Sequence, residues 1–454
     1  MSTTSYSLKE NSIPKLLLTY AGPAVLGLLI NALYNIVDRI FVGQFVGAEG
    51  IAAVTLTFPI SLFQFGFILL FGSGTGVLIS KFLGESRPKK AEKALGTMMA
   101  GLLITIVLFT SAGLLFYKPL LHAFGAQGEL LELSGEYLQI IIFGFPFAFF
   151  IALEFTCRAE GNPRLPAILI LISSLINVSL DLVFMKYFQM GIRGAALATV
   201  IAQSSNAIFL LRYYLSGKSL IKIKWKNIRI QKNMILPIFS LGLAPFVMDV
   251  ASSIQNIIAN NSLLQSGGTF AVAAMGIIFS VNVIFLMIAL GTGDGMQPIV
   301  SFNFGAKRPD RSRKTLLYAM ILVSLTGFLG LIVLELFPNS IIGIFIDRNE
   351  NVINIARIGL RIFALSIPFY MVQIVATRYF QALHEKRIAT FFAFLRPVML
   401  FVPIIYGLNY MWGLNGIWVS FVVSDGLSAL ISLVLIRKYS TKKIKTKPLW
   451  TASP

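Results

Sequence analysis

Gly72-Ser73-Gly74-Thr75-Gly76-Val77-Leu78-Ile79-Ser80-Lys81-Phe82-Leu83-Gly84-Glu85-Ser86-Arg87-Pro88 returns 221 residues later as Gly293-Asp294-Gly295-Met296-Gln297-Pro298-Ile299-Val300-Ser301-Phe302-Asn303-Phe304-Gly305-Ala306-Lys307-Arg308-Pro309. The paired glycines, Ser80/Ser301, Gly84/Gly305 and Arg87-Pro88/Arg308-Pro309 all keep that offset, and Lys93/Lys314 and Leu95/Leu316 extend it. Two further pairs stand 222 residues apart: Pro146-Phe147 with Pro368-Phe369, and Gly191-Ile192-Arg193-Gly194 with Gly413-Leu414-Asn415-Gly416. A constant offset over separate motifs marks an internal duplication.

Around these anchors the chain divides into apolar stretches. The first series runs 14–42, 51–80, 94–117, 131–157, 165–186 and 192–214; the second runs 233–263, 270–300, 314–337, 351–382, 388–410 and 414–436. Each is long enough to cross about 30 Å of hydrocarbon as a helix, and most are longer, so tilt or kinks are expected. Pro23, Pro59, Pro146, Pro245, Pro368 and Pro403 fall inside them and predict kinks. Composition agrees: 56% of the 454 residues are hydrophobic, only 13% are charged, and mean hydropathy is +0.79. A soluble domain carries about a quarter charged residues, so lipid must be the solvent for most of this surface. The fold class is therefore an all-α membrane protein of twelve spans in two six-helix lobes, 1–215 and 233–437, with a linker at 216–232 and a basic tail at 438–454. An even span count per half makes the repeats parallel, an arrangement in which transporters bind near the midplane and rock between two openings.

The net charge of +19 orients the chain. Of the 38 Lys and Arg residues, 30 lie in alternate connections: the N-terminal segment, 81–93, 158–164, 212–232, 307–314, 378–387 and 437–447. The other connections hold seven, and Arg396 alone sits inside an apolar run. This is the positive-inside pattern; it places both termini and the linker in the cytoplasm and needs no nucleic-acid partner. The first apolar run contains Pro23 and Asp38 and does not read as a cleaved signal. A single cysteine, Cys157, permits no internal disulfide.

Polar groups within the spans carry the functional reading, because an ionisable side chain in hydrocarbon costs kilocalories and needs a reason. Asn31, Tyr34, Asn35 and Asp38 share one face of the first span, and Asn177 and Asp181 one face of the fifth. Thr199 lies in the sixth. Two carboxylates with amide and hydroxyl oxygens suit a proton or a hard cation such as Na⁺, and Asp38, Asn177, Asp181 and Thr199 are the expected cation ligands. Asp249, in the seventh span, is a further candidate. Glu154 and Arg158 read as an i, i+4 ion pair, and Glu335, Arg396 and Asp425 as end or cross-helix groups. The Gly72-x-Gly-x-Gly76 run follows an apolar helix and reads as close packing, not a phosphate loop. Enzyme chemistry is not expected. His384-Glu385 opens like a zinc-protease motif, but Ile388 stands where its second His belongs, and no Cys cluster or Walker loop occurs.

The sequence resembles the multidrug and toxic compound extrusion (MATE) transporters. The resemblance is carried by Pro23…Leu33-Tyr34-Asn35-Ile36-Val37-Asp38…Gly43 with Gly47…Ala52-Ala53, by Gly125-Ala126-Gln127-Gly128-Glu129…Tyr137, and by Arg158-Ala159-Glu160-Gly161-Asn162-Pro163. Asn177-x3-Asp181 and Gly194-Ala195-Ala196…Thr199 complete it. It is closest to the prokaryotic branch of DNA-damage-inducible and staphylococcal multidrug pumps. It implies a V-shaped pair of lobes and export of amphipathic, often cationic compounds against H⁺ or Na⁺, with no other cofactor. It also implies a cation site at Tyr34, Asp38, Tyr137, Asn177, Asp181 and Thr199. A monomer in the inner membrane, in contact with lipids and small molecules, is expected. A lipid-linked oligosaccharide flippase of the same superfamily is the alternative; it would want several intramembrane arginines, and Arg396 stands alone.

Overall fold

The computed structural model describes residues 11–124, 126, 128–345 and 350–445, apart from the side chains of a few helix positions that include Asn31, Tyr34 and Asn35. The first half comprises α1 (Ile13–Phe45), α2 (Ala48–Gly84), α3 (Pro88–Ala123), α4 (Gly128–Ala148), α5 (Leu153–Ala159), α6 (Arg164–Asp181) and α7 (Gly191–Leu215). The second comprises α8 (Lys232–Gly305), α9 (Pro309–Leu336), α10 (Pro338–Gly343), α11 (Glu350–Ala364), α12 (Ile367–Ala382), α13 (Lys386–Phe394) and α14 (Phe401–Lys445). No strand occurs among the described residues.

Ten helical runs are long and apolar enough to cross a bilayer, and α11 with α12, bent by 48°, makes an eleventh. One of the ten, Lys386–Tyr439, is 54 residues long. At 1.5 Å per residue that is about 80 Å, more than twice the hydrocarbon thickness. Gly413, with φ 54° and ψ −135°, breaks it and gives the twelfth span. Gly268 (φ 64°, ψ −161°) divides α8 in the same way.

The duplication is visible in the backbone. Left-handed residues recur at the repeat offset: Gly47 and Gly268 at φ 94° and 64°, Ser86 and Lys307 at 59° and 58°, Gly191 and Gly413 at 55° and 54°. Each pair turns the chain between corresponding spans. Proline does not interrupt every helix that holds it. Pro23 and Pro245 sit within continuous helices. Pro146 lies near the end of α4, before a 3₁₀ turn at Phe149–Ala152. Pro368 stands beside the α11–α12 bend. Two π turns, Leu182–Tyr187 and Leu395–Leu400, supply the remaining irregularities.

Two compact units result. The first contains Met1–Phe246, Asp294–Thr315 and Gln381–Lys386; the second contains Val247–Gly293, Leu316–Phe380 and Arg387–Pro454. In the first, α1 packs on α2, α2 on α3, α3 on α4, α4 on α7, α7 on α6 and α6 back on α1, closing a ring of six spans. The glycine run does pack helices. A Cβ at Gly74 would strike the Ile238 carbonyl of α8, and one at Gly242 would strike the Leu70 carbonyl of α2. Gly84 lies on Phe302 and Gly305 on Lys81, a reciprocal contact between repeat-related positions. With lipid as solvent, such close backbone approach supplies dispersion that large apolar side chains would block. The second unit packs around fully buried Trp418, with Gly359 against its ring.

Candidate functional site

The ring of the first unit brings α1, α6 and α7 together, and with them the acids and oxygens that the spacing singled out. Asp38 of α1 is 8% exposed; Asp181 and Asn177 of α6 are 0% and 1% exposed. The carboxyls of Asp38 and Asp181 are close enough to interact directly, on two helices that pack against each other. Asn177 bridges to α7. In one amide orientation its Nδ2 lies 3.5 Å from Thr199 Oγ1. Turned over, the amide donates to Asp181 Oδ2 at 3.3 Å and accepts the Thr199 backbone N–H at 3.3 Å, which satisfies both ends. Asp181 is the last residue of α6, where the backbone widens into the π turn at Leu182. Such bulges recur at functional sites.

Tyr137 is buried on α4, which packs against the helix that carries Thr199. The side chains of Asn31, Tyr34 and Asn35, expected in this site, lie outside the described residues. Asp249 is half-buried on α8 and belongs to the second unit. Two other intramembrane clusters among the described residues are paired. Arg158 meets Glu154 at 3.2 Å and also reaches Asp294 at 3.8 Å, while Glu154 accepts Asn206 Nδ2 at 2.8 Å. Arg396 donates to Asp425 at 2.7 Å and stacks 5.0 Å over the Tyr370 ring, whose hydroxyl meets Asn282 at 2.6 Å. Asp38 and Asp181 are thus two buried acids set against one another, whereas Arg158 and Arg396 each hold a carboxylate of their own.

A family model, MatE, matches residues 23–183 and again 246–406, once on each half. The chain belongs to the MatE family. It is a multi-pass membrane transporter and not an enzyme. Similar proteins include the multidrug export protein MepA of Staphylococcus saprophyticus, 26% identical over 434 residues and 95% of each chain. MepA of Staphylococcus aureus is 26% identical over 437 residues, again over 95% of each chain. Among solved structures, a MATE transporter in complex with MaL6 superposes with a TM-score of 0.93 at 20% identity, over 98% of this chain and 100% of that one. A MOP-superfamily transporter from Pyrococcus furiosus, whose binding pocket is described as having reverse polarity, gives 0.92 at 20% identity over the same shares.

In this MatE transporter no group of three or more His, Cys, Asp or Glu forms a metal cluster among the described residues. The oxygens present for a cation at the acid pair are two carboxylates, the Asn177 amide and the Thr199 hydroxyl. Sequence spacing missed a third acid with a defined setting. Glu160, in the loop after α5, accepts the Ser219 hydroxyl and the backbone N–H groups of Leu220 and Ile221, at 3.0 and 3.4 Å for the latter two. Burial pushes its carboxyl above the usual carboxylate range, against the opposing pull of these donors. The only advance signal was the Arg158-Ala159-Glu160-Gly161-Asn162-Pro163 motif; its partners lie about sixty residues on.

Proposed function

We propose that this transporter is a secondary active exporter of amphipathic, commonly cationic organic compounds, driven by H⁺ or Na⁺ entry and cycling by alternating access. The observation that carries the reading is the apposition of Asp38 and Asp181 beside Asn177, out of water. Two facing carboxyls in low dielectric need a proton or a cation between them, so loading and unloading that charge gives the two conformations different free energies. An exchange cycle requires that difference. The staphylococcal relatives, named for multidrug export and alike over 95% of both chains, support the substrate class. So does the linked set of rings Phe63, Phe67, Phe109 and Phe246, a partly exposed polarizable group suited to amphipathic cations. A lipid-linked anion would want free guanidinium groups, and Arg396 is already neutralised by Asp425.

In this reading the lobes are 1–215 and 233–437, the termini and the 216–232 linker are cytoplasmic, and a monomer works in the inner membrane. The test is transport of an ethidium-like cation in proteoliposomes under an imposed pH or Na⁺ gradient. Gradient-driven movement should vanish in Asp38→Asn and in Asp181→Asn while both variants still insert. Undiminished transport by either variant would sink the coupling site. Movement of lipid-linked anions alone would put the flippase in its place.

A further inference from the structure

The 216–232 linker is not a loose connection. Ile221 is fully buried, Ser219 and the following backbone are held by Glu160, and Lys224 Nζ meets Glu92 at 2.6 Å. The Asn227 carbonyl sits so close to Gly96 of α3 that no Cβ would fit there. This clamp fixes which side chains point away. Trp225 is 84% exposed, and Lys218, Lys222, Lys226 and Arg229 are exposed around it. Immediately before the linker, the end of α7 carries an open groove of about 450 Å³ lined by Ile208, Leu211, Leu215, Arg212 and Ser216. Ile208 and Leu215 are 52% and 64% exposed, and Arg212 is exposed.

We propose that this groove and linker form a binding site for an anionic phospholipid, with an acyl chain along Ile208, Leu211 and Leu215 and the phosphate at Arg212. Three features point to that ligand rather than to a soluble anion or to undifferentiated bulk lipid. The groove is apolar along its length and cationic at its mouth, which is the amphipathy of a phospholipid. Arg212 and the four outward cations of the linker pair with no acid among the described residues, whereas Arg193, Lys224 and Arg361 each have one. Their charge is left for an outside partner, and basic residues beside a membrane-spanning helix attract anionic headgroups. Trp225, an amphipathic ring held outward on a fixed platform, suits the headgroup layer. The physiological leaflet rests on the cytoplasmic orientation proposed above; the site itself does not.

The test uses purified full-length protein in neutral detergent, titrated separately with dioleoyl phosphatidylglycerol and dioleoyl phosphatidylcholine, with retained lipid counted by native mass spectrometry. Wild type should hold phosphatidylglycerol several-fold more tightly than phosphatidylcholine. Arg212→Gln should lose about five-fold of that affinity, the effect of one surface cation. Arg193→Gln, at the other end of α7, should keep the preference. Equal retention of the two lipids by wild type, or an unchanged preference in Arg212→Gln, would overturn the site. Displacement of bound phosphatidylglycerol by millimolar glycerol phosphate would also overturn it, by showing that the groove adds nothing. Orientation is read separately, by labelling Lys222→Cys from outside cells in a Cys157→Ser background. Labelling there would overturn the cytoplasmic assignment while leaving the lipid measurement, made in detergent, to stand on its own.

Discussion

Asp181 and Asp425 are both fully buried carboxylates within the spans, but their partners differ in charge. Asp425 has a guanidinium at 2.7 Å, so its charge is compensated in place and the pair ties helices together. Asp181 has Asp38, and two like charges cannot compensate each other. The position of both acids inside apolar runs, and the i, i+4 spacing of Asn177 and Asp181, singled these residues out in the sequence, while their meeting across two helices is tertiary. Arg158–Asp294 was not legible, since its partners come from different repeats and no local spacing records that meeting. Glu160 belongs with the unreadable contacts, and it yields a pH prediction. Its folded-state pKa is raised by burial, so its stabilising contribution is fully present below the unfolded value of about 4.3 and is lost as pH climbs through the folded value. Gln at this position cannot titrate. The melting temperature of wild type, relative to Glu160→Gln, should therefore fall as pH rises from about 4 toward neutrality. A difference that stays constant with pH, or grows, would contradict the assignment.

Single helices show why glycine, more than proline, shapes this protein. Within α8, Gly268 reverses the chain, Gly242 lets the backbone of α2 approach, and Gly276 faces open space. The Gly-x-Gly recurrence made close packing legible, but not its partner, because the partner of Gly74 is the Ile238 carbonyl on another element. The turn at Gly268 was legible as the gap between the apolar stretches 233–263 and 270–300, although the helix is otherwise continuous across it. The environments give opposite signs for one chemical change. Gly242→Ala drives a methyl into the Leu70 carbonyl and should cost about 1–3 kcal/mol, as overpacking does. Gly276→Ala meets nothing within 4 Å and should gain about 0.5–1 kcal/mol by restricting the unfolded chain. Thermal unfolding of the two purified variants in one detergent measures the contrast. If both shift in the same direction, close packing of α2 on α8 is not what Gly242 provides.

At the scale of the whole chain, the duplication and the basic loops together support the topology proposed above. Turns at Gly47 and Gly268, Ser86 and Lys307, and Gly191 and Gly413 show that both halves follow the same path, and each half contributes an even number of spans. Two halves with even counts return the chain to its starting side. The N-terminal segment, the linker and the C-terminal tail must then share a compartment, whichever compartment that is. Charge favours one option: 30 of 38 basic residues fall in the connections assigned to the side of the termini and linker, which the positive-inside rule makes the inner side in the topology we propose. Cysteine accessibility tests both steps if the probes sit on exposed positions. Ser219 would be a poor choice because it is 5% exposed and bonded to Glu160, so silence there would have two explanations. Lys218 and Lys307 are better probes of the inner face, and Glu129, exposed at the start of α4, of the outer. In a Cys157→Ser background, an impermeant maleimide applied to intact cells should modify Glu129→Cys and spare Lys218→Cys and Lys307→Cys. Lysing the cells should make all three reactive. The opposite pattern would invert the protein as a whole, and labelling of Lys218→Cys but not Lys307→Cys would break the equivalence of the two halves.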